Sequence, residues 1–332
     1  MKPRLEKISL KFFLEAKFPA GTCPRRARIQ LLMPWVCKPA MKMLLFFLLL
    51  LGAAEAQLLS NQSLGRERGV EVRQWTYRSH GMAVKGLLFV PPVAAGGKKP
   101  VVIFSHDGIN GISKEHRLSS LRLANAGYVV FAPSYRGEDG SDGMVEVAKG
   151  EVEDVLAAIK LMDQVPEADA GRIALAGASH GALISFLAAA RNPEVKAVVA
   201  AYGVMDIYRW WDYLSRAGKI GGDEVTRRTY GDGPESRPQS FAIRNAVAVA
   251  DRVNCPVLVL QGKKDDIVPW EQASYIEAAL KKAGKNCQVE LYPDCLHGFL
   301  VYAPYLHDVT RAERAQTERS WRTMLDFLRR NV

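Results

Sequence analysis

The sequence predicts an α/β fold class, built on a mostly parallel, doubly wound sheet. Three observations carry that expectation. Short apolar runs recur along the chain as near-continuous Val, Ile and Leu, without the alternation of a half-exposed strand, as expected of strands covered on both faces. Helical periodicity fills the intervals between those runs. The alternation of the two is kept almost from end to end, which is the pattern of repeated strand-helix crossovers.

The elements follow in order. Arg73 to Tyr77 and Met82 to Val90 read as an antiparallel lead-in pair. The parallel strands are then Val101 to Ser105, Tyr128 to Phe131, Arg172 to Ala176, Val195 to Ala201, Pro256 to Leu260 and Gln288 to Tyr292. Val152, Val155, Leu156 and Ile159 fall at i, i+3, i+4 and i+7, and Trp321, Met324, Leu325 and Leu328 repeat that spacing near the C-terminus. Both sets mark amphipathic helices facing a core. Residues 203–250 break the alternation and read as an insertion capping one end of the sheet. Within it, Ile207, Trp210, Trp211 and Leu214 share one helical face.

The chain has 332 residues with a net charge of +10, but residues 1–56 hold ten Lys and Arg against three Glu. The remainder carries only +3, so the folded part offers no basic face for nucleic acid. No run reaches the ~18 apolar residues of a membrane-spanning helix. From Met41 the chain reads MKMLLFFLLLLGAAEAQ: a Lys, a short apolar stretch, then Ala54-Glu55-Ala56. That order is a signal peptide over 41–56, which implies a secreted or periplasmic protein beginning near Gln57. Residues 1–40 then read as an upstream leader, with an Arg-rich organelle transit peptide as the rival. Residues 57–332 form the folded domain. Its three cysteines, Cys255, Cys287 and Cys295, are too few for a disulfide scaffold. A bridge between Cys255 and Cys287 stays open if the strands they begin are neighbours. No spacing resembles a zinc site, and no metal or cofactor is expected.

The chemistry is expected at Gly177-Ala178-Ser179-His180-Gly181, a G-x-S-x-G between a strand pattern and a helical one. A strand turning sharply into a helix strains its tip residue and leaves no room for flanking side chains. The turn lifts the Ser179 hydroxyl and points the His180 N–H toward developing negative charge. A serine needs a base and the base needs an acid. His297 follows the strand 288–292 and is expected to be the base; His307 lies in a polar stretch and reads as a surface residue. Asp265 and Asp266 compete for the acid just after the strand 256–260, and Asp265 is favoured. The loop after the strand 101–105 should supply a second anion-binding amide from Gly108 or its neighbour Asp107, with His106 a structural hydrogen-bonder.

These segments resemble the α/β-hydrolase fold, and within it the catalytic domains of the prolyl oligopeptidase and dienelactone hydrolase families, from about residue 83 to 330. PSYRGEDGSDG at 133–143 resembles a family turn, GASHG the nucleophile turn of acylaminoacyl-type peptidases, and CPVLVLQGKKDDIVP and YPDCLHGF the acid and histidine segments. The resemblance implies Ser179 as nucleophile, Asp265 as acid and His297 as base. The family's His-Gly-Gly is replaced here by His106-Asp107-Gly108. The dienelactone hydrolases use a cysteine where this chain has Ser179. The oligopeptidases carry a large N-terminal propeller that residues 57–82 cannot form. The expected activity is therefore a serine hydrolase acting on a small carboxylic ester through an acyl-enzyme, with a small serine peptidase as the alternative and an inactive binding protein as a third, disfavoured reading. The expected partner is a small-molecule ester or short peptide; oligomeric state is left open.

Overall fold

The apolar runs line up as predicted. The computed structural model describes residues 56–332; the leader and the apolar 41–55 stretch lie outside them. Nine strands form one sheet in the order β1-β2-β3-β5-β4-β6-β7-β8-β9. They are β1 (Gln57–Glu67), β2 (Val70–Ser79), β3 (Met82–Val90), β4 (Lys99–Ser105), β5 (Val129–Pro133), β6 (Ala168–Ala178), β7 (Ala197–Ala201), β8 (Val257–Gly262) and β9 (Cys287–Tyr292). The pairs β1-β2, β2-β3 and β3-β5 are antiparallel, and from β5 to β9 every pair is parallel.

Alternate residues of each central strand enter opposite cores. On β4, Val101 and Ile103 join one apolar layer while Val102 and Phe104 join the other. The first layer receives α2 (Gly150–Lys160), α3 (His180–Ala189) and α7 (Glu271–Lys282) through Val152, Val155, Ile184, Ile276 and Leu280. The second receives α1 (Lys114–Asn125) and α8 (Arg311–Asn331) through Leu121, Leu123, Trp321, Met324 and Leu328. The central strands are thus covered on both faces, which is why they lack polar alternation. Among the described residues no helix is long and apolar enough to cross a membrane.

Strand β1 was not anticipated. Its sequence QLLSNQSLGRE has no apolar period, and almost all of it is exposed. Its regularity comes from backbone pairing with β2, interrupted by two irregularities in register. Between β7 and β8 lie α4 (Ile207–Arg216), α5 (Glu224–Tyr230) and α6 (Pro238–Ala242). Asp206 caps α4 by accepting from the amides of Tyr208 and Arg209. Ile207, Trp211 and Leu214 are buried and Trp210 is half-buried, which is the face expected from the spacing. Ile207 and Trp211 pack with Tyr230, Phe241 and Val268. Since Val268 belongs to the loop after β8, this cap rests on that loop. The β8 and β9 strands are neighbours, but register sets Cys287 beside Val257, and Cys255, Cys287 and Cys295 are all free thiols.

Candidate active site

Ser179 stands between β6 and α3 with φ 49° and ψ −114°, a conformation rarely adopted by a side-chain-bearing residue. The two flanking glycines are required sterically. A Cβ on Gly177 would lie 2.7 Å from the nitrogen of Ala182. A Cβ on Gly181 would lie 2.5 Å from the carbonyl carbon of Ser105, and closer still to two carbonyl oxygens. The turn is thus packed backbone-to-backbone against the end of β4.

The structure brings together the three side chains expected to act jointly. His297 Nε2 lies 3.0 Å from Ser179 Oγ, and His297 Nδ1 lies 2.8 Å from Asp265 Oδ2. Asp265 is buried, whereas Ser179 and His297 are partly open. The carboxylate can only accept, so Nδ1 carries the proton and the Nε2 lone pair faces the serine hydroxyl. Asp265 also accepts from Gln261 Nε2 at 3.1 Å and from the amides of Ile267 and Val268 at 3.0 and 2.8 Å. Four donors to one carboxylate stabilise its buried charge. Asp266, the competing residue, turns outward to Lys219. His307 is exposed.

The acid and base loops are joined by their backbones. Lys263 N donates to Tyr292 O at 2.9 Å, and Lys264 N to Cys295 O at 3.1 Å. The base loop is pinned in turn by α8, whose Gln316 exchanges hydrogen bonds with the backbone and side chain of Asp294. Tyr202, at φ 42°, stands edge-on to the His297 ring at 4.9 Å.

The loop after β4 contains Gly108 at φ 65°. His180 Nδ1 meets the Gly108 carbonyl at 2.9 Å, and the buried His106 donates Nδ1–H to the Asp107 carbonyl at 2.8 Å. Asp107 itself faces away, toward His116 and Tyr302. His116 sits at the third position of α1, and the Ser113 amide donates to its Nδ1 at 3.0 Å. The proton therefore resides on Nε2 and is donated to Asp107 Oδ1 at 3.0 Å, beside the Tyr302 hydroxyl at 2.5 Å. Desolvation opposes ionisation of this carboxyl, but the donors from His116 and Tyr302 outweigh it and hold its pKa below the ordinary value.

Behind the site a charged network went unforeseen, because its members are scattered along the chain. Arg136 pairs with the fully buried Asp154 at 2.7 Å. His106 Nε2 lies 3.1 Å from Glu138, off the axis of a good hydrogen bond. Burial disfavours the His106 cation, but Glu138 and the Asp107 carbonyl more than offset this and raise its pKa. The buried carboxylate of Glu151 accepts from the amides of Glu146, Val147 and Lys149. Val147 and Ala148 there have φ of 52° and 56°, strained for residues with a Cβ. From the opposite side the cap's Arg244 donates to the carbonyls of Glu146 and Val147, each at 2.5 Å, and to Ser240. Among the described residues no His, Cys, Asp and Glu side chains gather as metal ligands do.

Residues 84–332 match the sequence model of the dienelactone hydrolase family. The chain belongs to the dienelactone hydrolase family. It is accordingly an enzyme, a hydrolase on the α/β-hydrolase fold, and Ser179 in place of the family's cysteine makes it one of the serine type. It is 28% identical over 231 residues to the uncharacterized peptidase YtmA of Bacillus subtilis, covering 69% of this chain and 87% of that one. An acylaminoacyl peptidase of Pyrococcus horikoshii shares the fold with a TM-score of 0.66 at 20% identity, over 80% of this chain and 42% of that chain. The chain thus spans about two-fifths of that peptidase's length. Acetyl xylan esterase 1 from Thermoanaerobacterium sp. shares it with a TM-score of 0.61 at 18% identity, over 82% and 87% of the two chains.

Proposed function

We propose that this member of the family cleaves small carboxylic esters through a covalent acyl-enzyme on Ser179. The observation that carries the reading is the chain of hydrogen bonds Ser179–His297–Asp265, at 3.0 and 2.8 Å, on a strained turn at the carboxyl end of the sheet. In it, Ser179 Oγ attacks the ester carbonyl as its proton passes to His297 Nε2. The amides of His180 and Gly108 receive the negative oxygen of the tetrahedral intermediate. His297 then protonates the departing alcohol. Water, deprotonated by the same nitrogen, releases the carboxylic acid and restores the serine. Asp265 stays ionised, holding the imidazole tautomer and balancing its positive form.

A small peptidase is the second reading, favoured by the name of YtmA and by the likeness to the acylaminoacyl peptidase. Esters stand first because residues 57–82 are built into strands of this same sheet, so the described residues form the hydrolase domain and nothing that screens peptides. Secretion after cleavage at Ala56 belongs to the same proposal. The test is a fluorophosphonate probe on the chain from Gln57, with p-nitrophenyl esters of rising length beside aminoacyl and dipeptide anilides. Labelling at Ser179 and ester turnover that both vanish in Ser179→Ala are expected. Labelling of Ser179→Ala at the wild-type rate would overturn the assignment.

A further inference from the structure

The two amides assigned to the negative oxygen belong to loops 72 residues apart, one after β4 and one after β6. Each half has a different source of order. The His180 N–H is the first of helix α3 and is set by the helix. The Gly108 N–H has no such support. Gly108 is exposed and occupies the left-handed region, and a Cβ placed on it would meet nothing within 4 Å. Its N–H makes no hydrogen bond among the described residues. The Asp107 side chain anchors the loop to His116 and Tyr302, and a pair of imidazoles grips two successive backbone carbonyls. His106 Nδ1–H takes the Asp107 carbonyl at 2.8 Å. All peptide bonds described are trans, so that grip turns the Gly108 N–H to the opposite side of the same peptide plane. His180 Nδ1–H takes the next carbonyl, that of Gly108, at 2.9 Å.

The His180 ring has no other polar engagement. A carbonyl only accepts, so Nδ1 bears the proton, and Nε2 is buried without a partner. Burial lowers the pKa of this ring, more than the neighbouring carboxylates and the Gly108 carbonyl raise it, which keeps it neutral. A buried lone pair without a donor costs stability. An imidazole kept at that cost, bridging the two amide-bearing loops, points to positioning and not to folding.

We propose that the His180 side chain is a positioning residue that latches the Gly108 loop to the nucleophile turn, so that both amides face one point in space. The proposal rests on the acyl-enzyme reading above. It adds a second role to a residue whose backbone alone was expected to act. The latch matters only once the carbonyl oxygen has become negative, so its loss should appear in kcat and leave KM nearly unchanged.

The test compares His180→Leu, which removes the donor at similar bulk, with His180→Asn, whose Nδ2 stands where Nδ1 stood. Probe titration counts the competent sites in each sample, which corrects for any unfolded fraction. We expect His180→Leu to lose about 10- to 100-fold in kcat, the scale of a displaced or missing anion-hole donor, with KM within about threefold. Its affinity for a trifluoromethyl ketone, which mimics the tetrahedral anion, should fall by the same factor as kcat/KM. Its melting temperature should not fall. His180→Asn should return kcat to within about threefold of wild type. Wild-type kcat in the Leu variant, or equal impairment of the Leu and Asn variants, would overturn the latch. Undiminished hydrolysis by Ser179→Ala would instead overturn the reading on which it rests.

Discussion

Replacing Asp265 by Asn changes one atom and tests the whole proton path. In the native structure Oδ1 accepts from two backbone amides, at 3.0 and 2.8 Å, and Oδ2 accepts from Gln261 and His297. An Asn oxygen can serve only one of these pairs. Serving the amides sets its NH2 against His297 Nδ1, which must then accept. The imidazole proton moves to Nε2, and Ser179 loses its base. The opposite rotamer sets the NH2 against two backbone donors with no water to relieve them, since the group is buried. The first arrangement is therefore preferred, and the enzyme is trapped in the unproductive tautomer. A wrong tautomer in such a triad costs roughly 10⁴ in kcat, or about 5.4 kcal/mol at ~1.36 kcal/mol per decade. Asp266→Asn is the control. Its carboxylate is exposed and meets only Lys219, while its backbone carbonyl, which holds Tyr213 and Lys219, is untouched. The assay is turnover of a p-nitrophenyl ester, with probe labelling to count sites. Asp265→Asn within about tenfold of wild type, or Asp266→Asn as damaged as Asp265→Asn, would refute the reasoning.

Three further outcomes follow from the packing. Gly181→Ala drives a methyl into the backbone at the end of β4; it should destabilise by about 1–3 kcal/mol and lower activity ~100-fold, whereas Gly222→Ala, in open space, should do neither, as melting and turnover measurements will tell. Burial raises Cys255 and Cys287 to about 11 and Cys295 to about 12, so native protein should resist iodoacetamide at pH 8; because these pKa values lie above the ordinary 9, the thiols contribute stability that is present below pH 9 and is lost as pH rises toward 11 and 12, and increasing stability over that range would contradict the assignment. Trp211→Ala empties the centre of the cap and should cost about 3–5 kcal/mol, whereas Trp210→Ala removes a half-buried ring at the edge of that cluster together with its bond to the Ile267 carbonyl and should reorder preference among ester lengths; an unchanged ranking would remove the cap from specificity.

Much of this architecture was legible because burial on both faces of a sheet leaves a one-dimensional trace. Val101-Val102-Ile103-Phe104 can hardly be anything but a central strand, and β4 passes through both cores as such a run must. The positions of Ser179, Asp265 and His297 were legible for a related reason: each lies within five residues of a strand's end, and parallel strands deliver their carboxyl ends to one edge. Strand β1 left no trace, since backbone pairing needs no particular side chain. That Asp265 and not Asp266 faces His297 depends on the two amides and Gln261, which only the folded loop brings to bear. The partnership of Arg136 with Asp154, or of Glu151 with three amides, lies beyond periodicity altogether. Each joins polar residues whose spacing along the chain carries no signal until the core closes around them.

The grip on residues 146–149 has a consequence for traffic through the enzyme. Glu151 holds those amides from within the domain while Arg244 holds the carbonyls from the cap, so the strained segment is clenched from both sides. Swinging the cap away would strand two carbonyls and the largely buried Arg244 guanidinium, while the Glu151 carboxylate would keep its three amides. The cap is thus a fixed cornice and not a swinging door. On the proposed ester reading, a bulky ester should then be turned away by the clearance the folded protein already leaves instead of waiting for an opening.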